Sequence, residues 1–202
     1  MEKLISISKK LDTFFKVLQK IIFGGIAAAV LVTIILTIVN LINPGAVIGE
    51  DFHIVDIRPI TIELAQELAP NNNTILMYVW AVVVLGIVSA ALIYRGLGLL
   101  RKILKPMTEG KPFDSGIGQN IKKIGYIALI LGVAQNVGSI IETTAAIHAF
   151  RLTALADSGA VRSITANYTF DVSFLIVFFV LILMSYIFDY GTELQQLSDE
   201  TL

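Results

Sequence analysis

The sequence predicts an all-α integral membrane protein of four transmembrane helices, with both termini on the inner side and a small extracytoplasmic cap made by two outer loops. Three observations lead there. The chain is 55% hydrophobic and only 15% charged, with mean hydropathy +0.79, whereas soluble domains carry roughly 25% charged residues. A bilayer core about 30 Å thick is crossed by ~20 apolar residues in helix, at ~1.5 Å of rise each, and four stretches reach that length. Finally, Lys and Arg are divided unevenly between the connecting segments, which fixes orientation.

Residues 1–20 are short and basic, with Lys3, Lys9, Lys10, Lys16 and Lys20, and place Ile7, Leu11, Phe14, Phe15 and Leu18 at helical spacing. They read as an interfacial lead-in helix running into the first span. That span covers about residues 17–42. It exceeds the ~7–15 apolar residues of a signal peptide core and no small-x-small site follows closely, so it reads as a retained span. Asn43-Pro44-Gly45 ends it, because Pro cannot continue the hydrogen-bond ladder.

The first outer loop, residues 43–73, carries Glu50, Asp51, Asp56, Glu63 and Glu67 against Arg58. Weak alternation over residues 53–62 suggests an extended piece, and residues 61–68 suit two helical turns before Pro70. Asn73 fits the N-cap of the second span, about residues 74–94, with Tyr78 and Trp80 near its start as interfacial anchors. The inner loop, about residues 95–120, begins as an amphipathic continuation of that helix. Leu97, Leu100, Ile103, Leu104 and Met107 share one side, Arg101, Lys102 and Lys105 another, and Pro106 and Gly110 are expected to break it. Asn120 fits the N-cap of the third span, about residues 121–148. The second outer loop, about residues 149–169, leads to the fourth span, about residues 170–190, and a polar tail.

Residues 1–20 hold the five lysines named above, and residues 95–123 hold Arg95, Arg101, Lys102, Lys105, Lys111, Lys122 and Lys123. The opposite side keeps Arg58, Arg151 and Arg162 of the fifteen basic residues. This bias puts both termini and the central loop in the cytoplasm, so the expected location is a bacterial cytoplasmic membrane, the chain forming one multi-pass membrane domain over residues 1–202.

Two groups of residues stand out. In the third span Gln135, Asn136, Ser139, Glu142 and Thr143 fall on one helical face and form a polar stripe expected to face the bundle interior. It reads either as glue between helices or as the lining of a ligand or ion path. Glu142 is an ionisable group within a span and so a functional candidate, though its depth, about 27 Å beyond Ile124, allows its carboxylate to reach water. The second group is the inner surface of Arg95, Arg101, Lys102, Lys105, Lys111, Lys122 and Lys123, either headgroup anchors or a docking surface for a cytoplasmic protein.

His53 and His148 are the two histidines and lack metal-ligand spacing, and there is no cysteine, so neither a metal nor another cofactor is expected. No phosphate-binding loop, dinucleotide fingerprint, zinc-protease motif or nucleophile elbow appears, so enzyme activity is not expected. No basic patch interleaved with aromatics suggests direct nucleic-acid binding.

Two stretches also carry a resemblance. The first is LRKILKPMTEGKPFDSGIGQNIKKIGY, residues 100–126, with Gly-Lys-Pro-Phe at 110–113, then Asn120, a basic pair and Ile-Gly-Tyr. The second is FDVSFLIVFFVLILMSYIFDYGTELQQLSDETL, residues 170–202. Together they resemble a bacterial family of small four-span membrane proteins, the domain of unknown function 2975 family, departing from it at Gly116-Ile117-Gly118, where the family is more polar. The resemblance implies an integral membrane protein encoded beside a small helix-turn-helix regulator, and brings no catalytic or binding residues with it. The expected function is a non-enzymatic sensor or regulatory membrane partner of a cytoplasmic transcription factor, in contact with membrane lipids. The alternative is a small transporter or immunity-type protein, expected to be a homo-oligomer, using the polar stripe.

Overall fold

A computed structural model of the chain describes residues 2–43, 54–57, 60–63, 72–110, 113–149, 168 and 170–200. Its elements are α1 (Glu2–Ile42), a hairpin of β1 (Ile54–Ile57) and β2 (Ile60–Glu63), α2 (Asn72–Thr108), α3 (Ile117–Ala149) and α4 (Ser173–Glu200). All four helices are long and apolar enough to cross a membrane.

The helices outrun the spans expected of them. The lead-in segment and the first span are one unbroken helix, ending at Ile42 just before Asn43, Pro44 and Gly45. At ~1.5 Å per residue its 41 residues extend about 60 Å, twice a bilayer core. α2 passes through Pro106 and stops two residues later. Proline in a last turn costs one ladder bond, to the carbonyl of Lys102, and does not unwind the helix. The stop is Gly110, at φ 79°, whose N–H bonds to the Met107 carbonyl (3.3 Å) while that of Glu109 bonds to Pro106 (3.0 Å). Glycine takes this left-handed conformation without a Cβ clash.

Helix starts differ from expectation by a few residues. Asn120 is not the N-cap of α3. Its N–H bonds to the Gly116 carbonyl at 3.0 Å, inside the first turn, and Gly116 at φ 96° makes the bend into the helix. Asn73 likewise lies inside α2, where its side-chain oxygen accepts from Asn40. α4 begins at Ser173 after Asp171, whose carboxylate accepts the Ser173 N–H at 2.8 Å. The polar tail is helical to Glu200. Residues 61–63 are strand, not helix: β1 and β2 pair antiparallel with Ile54 opposite Glu63 and Ile57 opposite Ile60, which places the expected extended piece in a hairpin. Residues 64–68 lie outside the described residues.

The chain divides into two compact units: Met1–Gly25, Val88–Asn136 and Phe170–Leu202 form the first, Ile26–Ile87 and Val137–Thr169 the second. The first holds the core of Ile103, Ile117 and Ile121, with Met107, Ile124, Leu181 and Phe188 packed against it. Here α3 and α4 run antiparallel along a row of glycines seven residues apart. A Cβ on Gly118 would overlap Asp189, one on Gly125 would touch Leu181 at 3.4 Å, and one on Gly132 would overlap the Phe174 ring. Apolar surface gives no preference for a partner helix over lipid, so close backbone approach at small residues fixes this pairing.

In the second unit, α1 and α2 are joined by polar bonds. The Trp80 indole N–H donates to the Thr37 hydroxyl (3.0 Å) and the Asn40 amide to Asn73 (3.1 Å). Trp80 therefore pairs with a neighbouring helix as well as lying near a span end.

Candidate functional site

The charged site lies in the first unit, on α1 and α2. Asp12, Gln19, Thr33 and Asn40 recur at multiples of seven along α1. A seven-residue repeat keeps one seam facing a neighbouring helix. Gln19 is only 7% exposed and donates its amide to the Tyr94 carbonyl at 3.0 Å. Arg101 donates its Nε–H to Asp12 at 2.7 Å and its Nη1 to Gln19 at 3.1 Å. The Asp12–Arg101 ion pair is about two-thirds buried on each side. Polar side chains of α1 thus position one arginine of α2.

Beside this pair opens a cleft of about 520 Å³, bordered by Asp12, Gly98, Arg101, Lys102, Lys105 and Thr108. Lys102 and Lys105 are exposed. Thr108 bonds back to its own helix, its hydroxyl donating to the Lys105 carbonyl at 2.7 Å. Arg95, Lys122 and Lys123 of the expected inner surface are elsewhere. Arg95 is exposed, Lys122 stands over the Tyr186 ring with its ammonium 5.8 Å from the centroid, and Lys123 reaches Gln119 at 3.5 Å. Lys111 lies outside the described residues. The expected surface therefore resolves into one cleft of three basic groups and several separate ones.

The polar stripe does not face an interior as a unit. Gln135, Ser139 and Glu142 are exposed; Asn136 and Thr143 are half-buried. Asn136 is a clamp between helices: its amide donates to the carbonyls of Gly132 and Asp171 (both 2.9 Å) and its oxygen accepts the Asp171 N–H at 3.0 Å. Thr143 bonds back to the Ser139 carbonyl at 2.8 Å, the usual way a hydroxyl is satisfied within a helix. α4 starts at Ser173, with Phe174 against Gly132, and Asn136 holds the segment just before α4 at Asp171.

The second unit has an apolar groove of about 420 Å³ on the first turns of α2 and the last turns of α3. Met77, Ala81, Ile140 and Ile141 line it, with Thr74, Tyr78, Thr144 and His148 at polar positions. The Thr144 and Tyr168 hydroxyls are 3.5 Å apart. His53 lies outside the described residues.

Asp12 and Gln19, which organise the arginine, are the residues sequence reasoning passed over. Their signal was legible as the spacing of seven from 12 to 19 and from 33 to 40. It was hidden because Asp12 falls in a basic segment read as interfacial.

No curated protein and no solved structure matches the chain. A family described as a protein of unknown function, DUF2975, matches residues 63–202. The match takes in both stretches that carried the resemblance, together with α2, the basic side of the cleft and the glycine row of α3, while α1 falls outside it. With more than two-thirds of its length matched, the chain belongs to the DUF2975 family.

Proposed function

We propose that this protein is a non-enzymatic membrane regulator that holds a cytoplasmic DNA-binding protein at the inner face of the membrane, with both termini on that side. One observation carries the reading. The core of Ile103, Ile117, Ile121 and Phe188 ties the end of α2, the start of α3 and the late part of α4 together. The basic cleft and the exposed acidic side chains of the tail helix, Glu193 and Glu200, therefore emerge from one end of one unit. A charged end of mixed sign, outside the apolar stretches, suits a reversible, salt-sensitive protein contact. The Lys and Arg bias supports its cytoplasmic placement.

The test is an in-cell photocrosslink from Ser115, which is exposed beside this end, with the captured species identified by mass spectrometry. Recovery of a helix-turn-helix protein is the expected result. Capture of lipid or of the chain itself alone would overturn it.

A further inference from the structure

We propose that the cleft bordered by Arg101, Lys102 and Lys105 binds a phosphate group, presented by an anionic lipid at the membrane boundary, and that Asp12 restrains this binding. The inference goes beyond the regulatory reading and does not depend on it.

Charge is the first argument. Among the described residues the cleft border carries three cationic side chains and one carboxylate, and Asp12–Arg101 is the one ion pair. Arg101 spends its Nε–H on Asp12 and an Nη1 hydrogen on Gln19. A guanidinium has five N–H donors, so three remain beyond these two bonds. Lys102 and Lys105 are exposed and border the same cleft, and phosphate suits this combination of a planar fork and two point charges.

Depth is the second argument. The apolar part of α2 ends at Ile93, and Arg95 is the first charge after it. At ~1.5 Å per residue, Arg101 stands about 9 Å beyond Arg95 and Lys105 about 15 Å. A headgroup layer is roughly 5–8 Å deep on each side of the core. Arg101 thus lies just beyond the headgroup layer and Lys105 farther into water, from where long basic stems reach back toward lipid phosphates.

Asp12 provides the sign that sets this proposal apart from simple surface charge. Its carboxylate occupies the arginine and repels an incoming anion, so removing its charge should tighten binding.

The experiment is native mass spectrometry of the full chain in detergent, titrated separately with short-chain phosphatidylglycerol, phosphatidylcholine and inorganic phosphate. Phosphatidylglycerol is expected to bind in preference to phosphatidylcholine. Lys102→Gln and Lys105→Gln should each weaken it about fivefold, the factor of one basic residue near an anionic surface. Arginine at either position should restore binding, and Asp12→Asn should tighten it by a similar factor. If inorganic phosphate binds with the same dependence on these variants, the site stands and its ligand is soluble. Equal binding of both lipids, or phosphatidylglycerol binding that the two glutamine variants leave unchanged, would overturn the site. Weaker binding in Asp12→Asn, with its melting temperature unchanged, would overturn the restraint.

Discussion

The Ser185 hydroxyl, on a side chain only 1% exposed, donates to the carbonyl of Gly118 at 2.9 Å, across the junction of α4 with the first turn of α3. The bond is possible because Gly118 has no side chain: any Cβ there would overlap Asp189. Ser185→Ala should lower stability by about 0.6 kcal/mol, and at most about 1.7, the range of interhelical hydrogen bonds in membrane proteins. Gly118→Ala should cost more, because it separates the helices as well as breaking the bond. Unfolding of the two variants in mixed micelles, followed by circular dichroism, measures both.

The glycine row predicts an order of effects. Gly132→Ala drives a methyl group into the Phe174 ring and should destabilise by about 1–3 kcal/mol, the usual cost of overpacking. Gly125→Ala meets Leu181 at 3.4 Å and should cost less. Gly24→Ala meets nothing within 4 Å and should be neutral or stabilising by up to about 1 kcal/mol, from helix propensity alone. Melting temperatures of the three in one detergent test the order, and a uniform response would contradict the antiparallel pairing of α3 with α4.

Asn136 and Glu142 should behave oppositely although both belong to the polar stripe. Asn136→Ala removes the three amide bonds that tie α3 to its own turn and to Asp171, and should destabilise by about 1–3 kcal/mol. Glu142 is exposed, so Glu142→Gln should leave the melting temperature unchanged. Its activity readout is the separate test of the stripe as a transport path: lost export or resistance at normal expression would favour that path, and no change would leave the stripe as structure.

Asp171 gives a pH dependence of known sign. Hydrogen bonds from the Ser173 hydroxyl and N–H hold its carboxyl below the ordinary carboxylate range. Because the native carboxyl titrates lower than the unfolded one, its stabilisation is complete above the unfolded value. It is lost as pH falls through the lowered native one. Asp171→Asn should therefore flatten the acid limb of a melting-temperature profile, an effect kept small by full solvent exposure. An unchanged acid limb would show that the cap contributes nothing through its charge.

What the sequence alone determined was local. The number of apolar helices, the end of α1 before Asn43-Pro44-Gly45 and the amphipathic continuation of α2 past Arg95 all follow from hydropathy and from residues that start or stop helices. Membership of the family was legible too, in two stretches of α2, α3 and α4. Pairing between helices was not. In a bilayer the side of a helix that meets lipid and the side that meets another helix can be equally apolar, so periodicity does not separate them. Only the tertiary structure decided that Gly118, Gly125 and Gly132 receive α4, and that Asp12 and Gln19 take hold of Arg101. Those choices rest on how closely two backbones can approach and on which polar groups must be satisfied away from water, quantities that exist only once two helices are side by side.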